Sequence, residues 1–250
     1  ADKELIPKAR YDYMNENLSS IGPWGPRMMR GSASTQVSID YVDEADCIAK
    51  MRVAQVLAPL FALMCDNTPM FEGSRRPHAL MRTEIWKYCD PDRCNSVPGI
   101  FDEGFGFEDY AAYLLDVPAI VALDDDGEAR YDTRTFGEIF ARRAMTDDEV
   151  FHAMSMVFPD VRLKSYVEIR PADSMPIPYV LAYAALIKGL FYGKSSLETL
   201  VHSCAGISES DVAKAKDALM ESGYAAEVYQ RSAAEICDEL ITLARRGLPA

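Results

Sequence analysis

The chain has 250 residues, 49% of them hydrophobic, enough to bury a core as one large domain or two small ones. Its formal charge of −13 argues against a nucleic-acid backbone or an anionic membrane as the principal partner. An anionic ligand would need a local basic cluster, for which Arg162, Lys164 and Arg170, with Arg75, Arg76 and Arg82 upstream, are the candidates.

Residues 1–10 are charged and lack the apolar stretch of a signal peptide. Pro7, Gly22, Pro23, Gly25 and Pro26 then mark residues 1–33 as an irregular lead-in. Ser34–Tyr41 alternates as a strand, with Ser34, Gln36, Ser38 and Asp40 on one polar face. Asp43 is a fitting N-cap for a helix to about Asp66, with Glu44 and Asp46 in its first turn and a kink or break at Pro59. From Asn67 to Gly106 the pattern is mostly loop, with a short ordered piece around Leu80–Trp86.

Phe107–Leu115 reads as helix, and Ile120–Leu123 with Ala129–Tyr131 as a hairpin around Asp125-Asp126-Gly127. The run Asp124–Asp126 lacks the spacing and terminal Glu of a calcium loop, so it is turn chemistry. Thr146 and Glu149 form a capping box for a helix to about Val157. Beyond residue 170 come a Pro-rich turn and an apolar helix from Tyr179 to about Tyr192. Its run Val180–Phe191 is too short to span a bilayer and contains Lys188. Ser208 caps a helix that stops at Gly223, and a last helix stops at Gly247. Mixed strands followed by helices predict an α+β fold.

Six cysteines (Cys47, Cys65, Cys89, Cys94, Cys204, Cys237) lack the tight pairs of a zinc site, and His78, His152 and His202 are far apart. Free thiols in a reducing cytoplasm are the simplest account, although Cys89 and Cys94 are close enough to bridge in a loop.

The segment Arg162-Leu-Lys-Ser-Tyr-Val-Glu-Ile-Arg170 carries the most information. As one β-strand it places Arg162, Lys164, Tyr166, Glu168 and Arg170 on one face and Leu163, Ser165, Val167 and Ile169 on the other. Three cations around one carboxylate suit the lining of a polar cavity that holds phosphates and a metal ion. The solvated face of an antiparallel sheet looks similar, and the pattern leaves both readings open.

Several segments together resemble the plant and proteobacterial type of glutamate–cysteine ligase. They are Ile6-Pro-Lys-Ala-Arg-Tyr11, Met28-Met-Arg30, Ser34–Tyr41, Met81-Arg-Thr-Glu-Ile-Trp86, Asp90-Pro-Asp-Arg93, Gly104-Phe-Gly-Phe107, Leu115-Asp-Val-Pro118 and Phe158–Lys164 into Glu168-Ile-Arg170. They follow the family's order and near-family spacing from residue 6 to about 193; the tail is only loosely similar. Glu168-Ile-Arg170 followed by Pro178–Leu186 is also similar to a strand and helix of glutamine synthetase.

The resemblance implies a sheet of the glutamine synthetase-like ligase type with flanking helices, antiparallel or mixed and partial relative to the family. It would occupy residues 1–194, with a C-terminal helical segment at 195–250. The implied activity joins glutamate to cysteine with ATP and Mg²⁺, through γ-glutamyl phosphate, as the first step towards glutathione. Carried over residue by residue, Glu168 is a metal ligand and Arg170 the clamp on the acyl phosphate. Arg82 holds the substrate α-carboxylate, and Trp86 forms a pocket wall. Gln36 lines the same cavity, while Arg162 and Lys164 either contact nucleotide or balance acidic neighbours. Taken alone, Arg82 would read as a surface ion pair and Trp86 as a core anchor.

The match also departs from the pattern. The family chain is longer, and its N-terminal acidic residues help bind metal and ATP, so the resemblance implies a central and C-terminal piece with little activity by itself. Ile120 stands where plant members carry an aromatic near the cysteine pocket, and Gly31 replaces a common polar residue while Ser32 keeps a hydroxyl. A γ-glutamyl ligase with another amine acceptor and a non-catalytic amino-acid-binding module are the alternatives. The expected partners are small molecules, with neither nucleic acid nor membrane.

Overall fold

The computed structural model describes residues 3–124 and 126–248, so Asp125 in the acidic turn lies outside the described residues. Helices and small, mostly antiparallel sheets make an α+β protein. The chain forms two compact units. One comprises the described residues up to Ser32 with Ile85–Gly99 and Gly104–Pro159; the other comprises Ala33–Glu84, Ile100–Glu103 and the residues from Asp160 on.

The first unit corrects the reading of residues 1–33 as irregular: they form the helices Ala9–Ile21 and Trp24–Gly31. The misread residues have specific uses here. Pro23 and Pro26 fall at the N-cap and first turn of the second helix, where a missing N–H costs nothing. Gly25 packs directly on Leu18, leaving no room for a Cβ. The hairpin Pro118–Leu123/Ala129–Thr135 forms as the turn chemistry suggests, with a register shift between Pro118 and Ile120. Helix Asp147–Ser155 starts at the Thr146–Glu149 capping box. Arg93 holds this unit's loops together: it is 2% exposed and donates to Asp90 Oδ2 (2.6 Å), the Met156 carbonyl (3.1 Å) and the Pro118 carbonyl (2.9 Å).

The second unit is built on helix Glu44–Met64. The side chain of its N-cap, Asp43, accepts the Asp46 N–H at 2.8 Å, and most of the helix is buried on all sides. It runs through Pro59 without a break. Its length and apolar character are those of a core helix: 83% of its most apolar stretch is buried. Against it lies a three-stranded antiparallel sheet in the order Val37–Ile39, Val167–Ile169, Val161–Leu163.

That order corrects the expectation of one continuous charged strand. Lys164, Ser165 and Tyr166 form a tight turn, closed by the Lys164 N–H to the Tyr166 carbonyl at 2.8 Å. Residues 161–169 are therefore a hairpin in which Arg162 and Glu168 are cross-strand partners. Period-two alternation survives such a turn, because directly opposed residues share a face.

The helices Ile177–Phe191, Lys194–Ser203, Glu209–Ser222 and Ala233–Gly247 complete this unit. Lys194–Ser203 is absent from the sequence reading; its polar start conceals Ser196 and Leu200, which are buried. The first and last of these helices touch backbone to backbone. A Cβ on Gly189 would collide with the Ala244 carbonyl, and one on Gly247 with the Gly189 carbonyl.

Candidate functional site

In the second unit, cross-strand pairing sets Ser38, Glu168 and Arg162 in one row across the sheet. The opposite face carries Val37, Ile39, Val161, Leu163, Val167 and Ile169, which pack toward helix Glu44–Met64. Arg170 lies two residues beyond Glu168 and thus on the same side. Arg162, Glu168 and Arg170 are only 7%, 7% and 6% exposed, so this part of the row is shielded from solvent, while Ser38 at its end is exposed.

Glu168 Oε2 accepts Arg162 Nε at 2.9 Å, with Arg162 Nη2 at 2.7 Å, and Arg170 Nη1 at 2.8 Å. Lys164 Nζ, from the hairpin turn, stands 3.8 Å from Oε1. Burial by itself would raise the Glu168 carboxyl, but Arg162, Arg170 and Lys164 outweigh it and hold the group below its ordinary value. Arg170 Nη1 also reaches Gln36 Oε1 at 3.4 Å; Gln36 is exposed and bonded to Ser34 Oγ at 2.9 Å.

Arg82 is 8% exposed, so it is not a surface ion pair, and its Nη2 donates to the Arg170 carbonyl at 3.3 Å. Burial, then the charge of Arg170, push its guanidinium down to about 10, while Asp173 and Asp160 pull the other way. The structure thus gathers Gln36, Arg82, Arg162, Lys164, Glu168 and Arg170 in one unit. Arg76 instead pairs with Asp66, and Arg75 is exposed on the small hairpin Met70–Phe71/Ser74–Arg75.

Trp86, one turn beyond Arg82 on helix Met81–Lys87, falls in the first unit. It is half-buried; its indole N–H donates to Ser32 Oγ at 3.2 Å and its ring lies 5.8 Å from that of Phe158. Ile120 is fully buried at a φ of 60°, in the left-handed region that a β-branched side chain rarely adopts.

The profile of glutamate-cysteine ligase family 2 (GCS2) matches residues 1–243. The chain belongs to the glutamate–cysteine ligase family. It is 30% identical over 256 residues to the chloroplastic glutamate–cysteine ligase of Arabidopsis thaliana, covering 99% of this chain and 49% of that protein. The Brassica juncea enzyme is 30% identical over 254 residues and the Nicotiana tabacum enzyme 29% over 255, with coverage of 99% and 49% in each case. The chain therefore spans about half the length of the curated ligase relatives it matches.

The relatives' names also correct one expectation. All three are chloroplastic, which overturns the cytoplasmic assignment drawn from the thiols. Reduced cysteines mark a reducing compartment and do not distinguish one from another. The six cysteines of this chain are free. Burial pushes Cys47, Cys65 and Cys204 up to about 12, so these thiols are poor nucleophiles.

Sequence reasoning missed Asp160, Asp173 and Lys216, all buried or nearly so around the cation row. Asp160 lies within the stretch Phe158–Lys164 that carries the resemblance, whereas Asp173 and Lys216 fall outside the quoted segments.

Proposed function

We propose that this chain provides the anion-holding sheet of a glutamate–cysteine ligase that uses ATP and passes through γ-glutamyl phosphate. The observation behind this reading is the buried guanidinium pair of Arg162 and Arg170, with the half-buried Lys164 beside it, on the carboxylate of Glu168. Forming an acyl phosphate and displacing phosphate from it both place negative charge on oxygen atoms. Fixed guanidinium and ammonium groups in a poorly solvated site stabilise that charge without reorganising. In this reading Arg170 clamps the acyl phosphate, and Arg162 and Lys164 face the nucleotide. Gln36 orients Arg170. Arg82 takes the glutamate α-carboxylate in its planar fork.

The donor set bears on the implied Mg²⁺. Glu168 Oε2 is occupied by two guanidinium groups and Oε1 lies 3.8 Å from Lys164 Nζ, so a metal ion bound at Oε1 would have to displace that ammonium. Among the described residues no group of three or more His, Cys, Asp or Glu is arranged for a metal. That fits a single protein ligand, Glu168, with phosphate oxygens and water completing the shell, as Mg²⁺ commonly accepts. Bound there, the ion would neutralise charge on the transferring phosphoryl group. With so few carboxylates, the 250-residue chain alone is expected to show little ligase turnover. Robust phosphate release by this chain that requires both ATP and glutamate would refute that.

Arg82→Lys tests the substrate assignment. Lysine keeps the charge but not the bidentate geometry, so glutamate should bind about 10- to 100-fold more weakly, a cost of about 1.4–2.8 kcal/mol. Circular dichroism should remain unchanged. Calorimetric titration with glutamate gives the answer, and an unchanged affinity removes Arg82 from the site.

A further inference from the structure

We infer that the cavity among helices Glu44–Met64, Lys194–Ser203, Glu209–Ser222 and Ala233–Gly247 is a second binding site, and that it takes an uncharged, mostly apolar small molecule. It lies wholly in the second unit, and none of Gln36, Arg82, Arg162, Lys164, Glu168 and Arg170 lines it.

The cavity measures about 910 Å³, within the roughly 300–1,000 Å³ of sites that hold drug-sized ligands. Its floor is apolar: Val56, Leu57 and Leu60 of the core helix are joined by Leu200, Ile236 and Leu240. Small side chains on the helix walls, Ser203, Ala215 and Ala218, leave space that larger ones would fill. The remaining wall is the hairpin Glu227–Val228/Arg231–Ser232. Its turn residues, Tyr229 and Gln230, both line the cavity and both have left-handed backbone, with φ of 53° and 62°. A tight hairpin turn demands that conformation, which residues with a Cβ resist. The Tyr229 hydroxyl holds the turn down by donating to the Val56 carbonyl at 2.7 Å. A wall anchored in this way is formed before any ligand arrives, so binding costs little reorganisation.

The charges at the mouth select the class of ligand. Lys214 stands 3.8 Å from Asp211 and Arg231 stands 2.5 Å from Glu239. Arg246 also lines the mouth, with Glu227 and Asp238. Three cations against four acids leave no surplus to hold a phosphate or a carboxylate, unlike the cations gathered around Glu168. One net negative charge spread over an exposed rim is equally weak at holding a cation. Contact with the apolar floor therefore supplies the affinity.

The test adds prodan, an uncharged naphthalene dye whose emission moves to the blue on leaving water, to the 250-residue chain. The wild type should bind it saturably. A218W and T242W each place an indole in the cavity from a different helix, and each should weaken binding about tenfold or more. A213W, at an exposed position outside the cavity on the same helix as Ala218, should leave binding unchanged. A second readout places the dye: Cys204 lines the cavity and is half-buried, whereas the other five cysteines are buried. Prodan at about ten times its dissociation constant should slow alkylation of Cys204 by N-ethylmaleimide about tenfold, because labelling then needs the empty cavity. Lack of saturable binding overturns the inference, as do filled variants that bind like A213W or a Cys204 left unprotected. Tighter binding of the anionic dye anilinonaphthalene sulfonate also overturns it, since the site would then select charge. Circular dichroism identifies a filled variant that has not folded, in which case the other decides; if neither folds, Cys204 protection in the wild type decides.

Discussion

Glu168→Gln should lower folding stability by about 3 kcal/mol, the lower end of what breaking a buried ion pair costs. The amide preserves shape but removes the negative charge that Arg162 and Arg170 contact at 2.7–2.8 Å, with Lys164 also near. Three cations would then face one another with little water to screen them. Two accompanying observations separate this from a general packing defect. Phosphate at millimolar concentration should restore part of the loss in the variant and have less effect on the wild type, because an anion can replace the missing carboxylate. The acid limb of the stability curve should also flatten. The Glu168 carboxyl is depressed in the folded protein, so its contribution is present above the ordinary carboxylate value and lost as pH falls through the folded one. Urea titrations at several pH values, with and without phosphate, measure both; a variant as stable as the wild type removes the charge cluster from the account.

Arg93→Met is expected to cost about 3–5 kcal/mol, and the loss should fall on the first unit. Asp90 is 1% exposed and would remain as a buried carboxylate without its guanidinium. The carbonyls of Met156 and Pro118 would lose their donor as well. Methionine replaces only the aliphatic stem of the side chain, so the loss combines the uncompensated polar groups with the space that the guanidinium vacates. Adding Asp90→Asn should recover part of the stability. Hydrogen exchange localises the effect: amides of the hairpin Pro118–Leu123/Ala129–Thr135 should exchange faster, while those of helix Glu44–Met64 change less. Protection lost equally in both units would contradict the assignment of Arg93 to one of them.

These cases also show how far the sequence could be read. Helix ends with local chemistry were legible, because the determinants lie within a few residues. The Asp43 cap, the Thr146–Glu149 box and the Ser208 start all appear where side-chain oxygens meet nearby N–H groups. Pro and Gly near residue 25 misled, since close helix packing and a helix start use the same residues as a loop. The hairpin at 161–169 was misread as one strand for a related reason: parity along the chain does not record a reversal. The shared face was nonetheless preserved, because Arg162 and Glu168 lie on one side of the sheet in either geometry.

The sequence by itself determined the α+β class, the polar row ending at Arg170, and the ordered motifs that mark the ligase family. Each is fixed by residue type and spacing over short distances. Only the tertiary structure decided that this row is buried, that Arg82 reaches the Arg170 carbonyl across 88 positions, and that Lys216 engages Asp160. Burial and long-range pairing depend on which distant segments cover a surface, and no local pattern of residues encodes that.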